Sequence, residues 1–164
     1  GLDGDSGVDE GWSPQIGIGM AVLIPESYVA DLNVRMELYR RLSRLEKAKE
    51  IESFAAELID RFGSLPNEVE NLLAVVTIKQ FSKRAGVDKV EAGPKGAVIS
   101  FRNNEFVNPA GLVAFISDQA GTAKLRPDHR LVFKRSWESP MERLQGVRNL
   151  MRDIAEVAEE KFKG

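Results

Sequence analysis

From about residue 31 to residue 85 apolar residues recur every three or four positions, and from residue 87 the period drops to two. A switch of this kind separates a block of helices from a block of strands. It excludes a regular alternation of strand, helix and strand. The helical block has three parts. Residues 31–47 carry Val34, Leu38, Leu42 and Leu45 on one face, with Arg40, Arg44 and Lys47 on the opposite face. Residues 49–62 bury Ile51, Phe54, Ala55, Leu58 and Phe62 and end at Gly63, read as a left-handed cap. The third helix, 66–85, opens on Pro66 and carries Val69, Leu72, Leu73, Val76, Ile78 and Phe81, with Gly86 as its stop.

The strand block holds two hairpins. Residues 87–92 and 97–102 turn at Gly93-Pro94-Lys95-Gly96, and 122–126 and 131–135 turn at Pro127-Asp128-His129-Arg130. Between them Asn108-Pro109 opens a helix to Asp118 whose core side is Leu112, Phe115 and Ile116. Upstream, the apolar run 16–24 suits a strand ended by Pro25. The last helix has the clearest start. Ser139 is its N-cap, Pro140 its first residue, and Glu142 completes a capping box. Leu144, Val147, Met151, Ile154 and Ala158 then form one seam.

The expected class is α+β: three consecutive N-terminal helices, a small mixed or antiparallel sheet with two hairpins, and a long C-terminal helix. Helices are expected on one side of the sheet. Residues 1–15, rich in glycine and acid, read as a flexible linker or a trimmed remnant, and 16–164 as a single regulatory or interaction domain. A chain opening on glycine reads as a fragment.

The chain has 164 residues, no cysteine, and 23 basic against 25 acidic residues, for a net charge of -2. Without cysteine, thiol catalysis, disulfides and cysteine-bound zinc are excluded. The near balance argues against a domain built mainly to grip nucleic acid. No apolar run approaches the roughly 18–20 residues of a membrane span, and no signal peptide opens the chain. A cytoplasmic setting fits.

The sequence offers no catalytic constellation. His129 is the only histidine and sits in a polar turn, with no ligand partners at metal spacing. Gly17-x-Gly19 lacks the third glycine of a dinucleotide loop, because Val22 stands there. Gly93-Pro94-Lys95-Gly96 has neither phosphate-loop spacing nor a following helix. Ser139 is accounted for by capping. No catalytic residue, cofactor or metal is therefore expected.

Two surfaces remain as contact candidates. Arg40, Arg44 and Lys47 form a basic stripe suited to phosphates, with Glu37 set to pair with Arg41 four residues on. Glu57 and Asp60, three apart on the second helix, project outward to receive arginine from another module, with Arg61 as a local partner for Glu57.

The strings Ile24-Pro25-Glu26-Ser27-Tyr28-Val29-Ala30-Asp31, Leu38-Tyr39-Arg40-Arg41-Leu42, and Glu57-Leu58-Ile59-Asp60-Arg61-Phe62-Gly63-Ser64-Leu65-Pro66 are more specific than their periodicity. With Phe106-Val107-Asn108-Pro109 they resemble the C-terminal domain of the bacterial transcription-repair coupling factor (Mfd) family, over residues 12–160. The resemblance implies a parent that is an ATP-driven DNA translocase acting on stalled RNA polymerase and recruiting UvrA. The motor modules are not in this chain. It implies that this domain packs on the parent's N-terminal UvrA-binding module and restrains both recruitment and motor. In that picture Glu57 and Asp60, beside Arg61, meet arginines of the other module. The alternative is a nucleic-acid-binding accessory domain using Arg40, Arg44 and Lys47.

Overall fold

Capping residues set most of the helix boundaries. The computed structural model describes residues 12–160. Asp31 accepts from the Val34 amide at 3.0 Å and opens α1, Leu32–Leu42. This helix stops five residues short of the expected 47. The Glu50 carboxylate accepts from the Glu46 and Lys47 amides at 2.7 and 3.0 Å, so those residues become the approach to α2, Ala48–Phe62. Competition by a side chain for backbone amides is the usual way such a helix is cut short. Helix α2 ends at Gly63, whose φ of 98° and ψ of -171° lie in a glycine-only extended region rather than the expected left-handed helical one. Helix α3, Asn67–Ala85, follows and is closed by Gly86.

The expected strand over 16–24 is much shorter. Only β1, Gln15–Gly17, pairs, because Gly19 turns the chain at a φ of 79°. Ile18 and Ile24 are still buried, which is why the run looked like a strand. Residues 12–15 belong with the fold: Gln15 starts β1, and the Trp12 ring lies 4.7 Å from the Arg102 guanidinium. The rest of the expected leading segment, residues 1–11, lies outside the described residues.

Strands β2, Val87–Gly93, and β3, Gly96–Phe101, form the first hairpin. Helix α4, Pro109–Ser117, opens on Asn108, whose side chain accepts from the Gly111 amide. Strands β4, Ala123–Leu125, and β5, Leu131–Lys134, form the second hairpin, and α5, Pro140–Glu160, closes the fold. Its capping box is intact: Glu142 N donates to Ser139 Oγ at 3.1 Å, and Ser139 N donates to Glu142 Oε1 at 2.9 Å.

The five strands form one mixed sheet in the order β1-β2-β3-β5-β4, parallel only between β1 and β2. Val90, Ile99 and Leu131 stand in register and are fully buried, while Lys89, Glu91 and Lys124 between them are exposed. Such alternation leaves one sheet face to the helices and one to water. Helix α5 packs along α3 and against β2, and α4 packs against α5 and β4. Trp137 lies across α5 at Gly146, where a side chain of any size would strike the indole.

The apolar interior is divided in two. One cluster joins the sheet to α4, α5 and the second half of α3, around Ile78, Ile99, Phe133 and Met151. The other joins α1, α2 and residues 24–29 to Val69, Leu73 and Val76 of α3. Helix α3 thus serves both. Among the described residues no helix is long and apolar enough to cross a membrane.

Candidate interdomain face

Helix α2 is amphipathic, and its buried residues Ile51, Phe54 and Leu58 fix which way its carboxylates point. Its end is tied down by Tyr28, whose hydroxyl is shared between the carbonyls of Gly63 at 2.7 Å and Leu58 at 3.1 Å. The Tyr28 ring also packs on Phe62 at 5.7 Å between centroids. The last turn of α2 is therefore a firm platform.

Glu57 is half-buried on this platform and does not wait for a partner. Arg41, from α1, donates Nη2 to Oε1 at 2.6 Å and Nη1 to Oε2 at 2.8 Å. Arg61, one turn on, donates Nη1 to Oε2 at 2.9 Å. These bonds, Arg41's first and Arg61's second, hold the Glu57 carboxyl down to about 2. Both guanidiniums also lie on aromatic faces, Arg41 at 4.9 Å from the Phe54 centroid and Arg61 at 4.8 Å from that of Phe62. Arg61 is thus the local partner expected for Glu57, and Arg41 is an unforeseen second one: the Glu57 charge is compensated within the chain rather than left open for another module. A carboxylate has about four acceptor positions, so three donors leave room for one more.

Asp60 is different. It is exposed, and among the described residues its carboxylate makes no hydrogen bond or ion pair. It stands beside Ile59, which is 49% exposed. Together Ile59, Asp60 and the outer edge of the Arg61 guanidinium offer an apolar, an anionic and a cationic contact on one turn.

The basic stripe does not assemble as a helix face. Arg44 and Lys47 lie beyond the end of α1, and Arg40 is turned to Glu37, whose Oε1 it reaches at 2.7 Å. The expected Glu37–Arg41 pair is thus replaced by Glu37–Arg40. That exchange frees Arg41 for Glu57. Sequence reasoning missed Arg41 as part of the site because a contact across 16 residues depends on how α1 and α2 pack, and no local spacing signals it.

His129 sits in the β4–β5 turn with a φ of 69°, beside Asp128, which accepts from the Arg130 amide and from Arg126. Among the described residues no three His, Asp or Glu side chains are grouped to hold a metal. Ser139 is engaged in the capping box.

Comparison with known proteins gives a consistent picture. The TRCF domain family matches residues 18–112. The chain is 40% identical over 120 residues to a transcription-repair-coupling factor of Rickettsia bellii, covering 73% of this chain and 11% of that protein. It is 33% identical over 144 residues to the Escherichia coli protein of the same name, covering 88% and 12%. The chain therefore spans about an eighth or less of these relatives. A crystal structure of a C-terminal domain of transcription-repair coupling factor shares the fold, with a TM-score of 0.74 at 23% identity, covering 92% of this chain and 96% of that one.

Proposed function

The chain belongs to the TRCF domain family, and on that premise we propose that it is the regulatory C-terminal domain of a cytoplasmic transcription-repair coupling factor. In this reading it packs on the N-terminal UvrA-binding module of the same parent. So placed, it holds back UvrA recruitment and the DNA-translocating motor, and has no catalytic centre of its own. RNA polymerase, UvrA and DNA are partners of the parent rather than of this piece.

Asp60 carries the proposal. A carboxylate in the last turn of a helix is opposed by the helix dipole, whose C-terminal end is negative. Asp60 occupies that turn of α2, and among the described residues no cation pairs with it. It contributes nothing visible to the isolated fold, which favours a partner outside it. An arginine of another module, meeting Asp60 beside exposed Ile59, makes a charge-assisted contact with an apolar neighbour. Glu57 then acts mainly as a positioning residue that fixes Arg41 and Arg61, with one acceptor position to spare.

Such a clasp is a two-state element. A difference of ~3 kcal/mol holds the closed state at better than about 100 to 1 and still lets it open. Titration of this chain against the separately produced UvrA-binding module tests the reading. Asp60→Arg weakens that binding by about tenfold or more, and in the whole parent it raises UvrA binding and DNA-stimulated ATPase activity. Equal affinity for the unaltered chain, Asp60→Arg and Ile59→Asp removes this face from the proposal.

A further inference from the structure

Helices α3, α4 and α5 cover one face of the sheet, and the cations of the strand block collect on the other. Strand register fixes which side chains share that bare face. Glu91, Val98, Val132 and Lys124 stand side by side across β2, β3, β5 and β4. Lys89 stands opposite Ser100 in the neighbouring row, and Lys134, two residues on from Val132, stands opposite Gly96. Directly paired residues, and residues two apart on one strand, project to the same side. Past the paired strands Arg126 and Arg130, joined by a backbone hydrogen bond of 2.8 Å, continue the same alternation. Val98 and Val132 are half-buried and belong to neither apolar cluster.

Lys89, Lys95, Lys124, Arg126, Arg130 and Lys134 lie on this face or on the turns that end it, against Asp88, Glu91 and Asp128. The carboxylates are already spent. Glu91 lies 3.5 Å from Lys89, and Asp128 is shared by Arg126 at 2.8 Å and Arg130 at 4.0 Å. Among the described residues the ammonium groups of Lys95, Lys124 and Lys134 make no hydrogen bond or ion pair. These three border the valine pair: Lys124 is beside Val132, and Lys95 adjoins Gly96, the partner of Lys134. An apolar centre with unpaired cations around it is complementary to an anionic, amphipathic surface. Four strands at about 4.8 Å spacing span about 14 Å, room for a helix about 10–12 Å across. No aromatic side chain of these four strands is exposed on the face, and Trp12, near Lys89, is stacked on Arg102. Single-stranded nucleic acid needs open rings to stack on, and a phosphate backbone gives the valines nothing apolar to meet.

We propose that the bare sheet face docks an acidic amphipathic helix of another protein module, with aliphatic side chains on Val98 and Val132 and carboxylates on Lys95, Lys124 and Lys134. The assignment is independent of the α2 face. Its test is an NMR titration of the 164-residue chain with the synthetic peptide EELLEALEELLEALEE, following backbone amides and valine methyls. The expected shifts fall on Val98, Val132, Lys124 and Lys134, and the affinity drops about tenfold between roughly 50 and 500 mM salt. An oligoglutamate of the same length binds about tenfold more weakly, since it lacks the apolar contact. Lys124→Glu with Lys134→Glu, both at exposed positions, weakens binding by about tenfold or more while the melting temperature is kept. Five results would overturn the proposal: no shifts at these residues, equal binding by the double variant, equal binding of the oligoglutamate, tighter binding of a short duplex DNA at the same face, or shifts of the same methyls on deleting residues 1–11 without peptide. The duplex result assigns the face to nucleic acid, and the last assigns it to the chain's own acidic segment.

Discussion

Arg41 of α1 grips the carboxylate of Glu57 of α2 through two hydrogen bonds, 2.6 and 2.8 Å long, and Phe54 underlies its guanidinium. The pair fastens two helices that otherwise meet through apolar contacts. It also decides what the outer face of α2 can offer, because Glu57 is occupied and Asp60 is not.

A double-mutant cycle on Arg41→Gln and Glu57→Gln measures the strength of that fastening. Partly exposed ion pairs couple by about 0.2–1 kcal/mol, and a bidentate geometry places this one near the upper end. Urea unfolding of the four proteins at neutral pH provides the measurement. Coupling indistinguishable from zero would make the contact a bystander.

The same pair carries a pH dependence. The Glu57 carboxyl is lowered from 4.5 to about 2 in the folded chain. A depressed folded value means that its stabilisation is complete above the unfolded value and lost as pH falls through the folded one. The stability gap between the unaltered chain and Glu57→Gln is therefore constant near neutrality, narrows below about 4.5 and closes near 2. A carboxyl-carbon NMR titration with a Glu57 midpoint near 4.5 would contradict this.

Gly146→Ala tests the contact with Trp137. Alanine is favoured over glycine inside a helix by about 1 kcal/mol, so a free helix gains. Here the added methyl meets the indole. Overpacking of this kind destabilises by about 1–3 kcal/mol, and the net change is a lower melting temperature. Combining it with Trp137→Ala removes the collision, so that the second substitution costs less in the Gly146→Ala background than alone.

Ser139→Ala removes half of the capping box of α5 and lowers stability by about 1 kcal/mol. Ser139→Asp restores most of the loss, since aspartate also caps. A destabilisation by both, read from thermal melts, would mean that Ser139 acts through some other contact.

What was readable beforehand was whatever is encoded locally. The α5 start was visible because Ser139, Pro140 and Glu142 are adjacent in sequence, and both hairpins were visible because their turns are. The end of α1 was not, because Leu45 continues the helical period while Glu50, three residues past Lys47, takes the amides that would have extended the helix. The 16–24 stretch reads as a strand by composition, yet Gly19 turns it away after three paired residues. Sheet order was beyond reach as well, since placing β5 beside β3 depends on long-range packing. For the α2 face, the exposure of Asp60 followed from helical spacing, whereas the capture of Glu57 by Arg41 required the three-dimensional pairing of α1 with α2.

Two oily cores are strung along one helical rod, and besides that rod only the stretch from Ile16 to Val29 reaches into both among the described residues. Cores divided in this way are expected to open as separate cooperative units. Amide hydrogen exchange should then run in two tiers, with the lobe that carries Asp60 opening first.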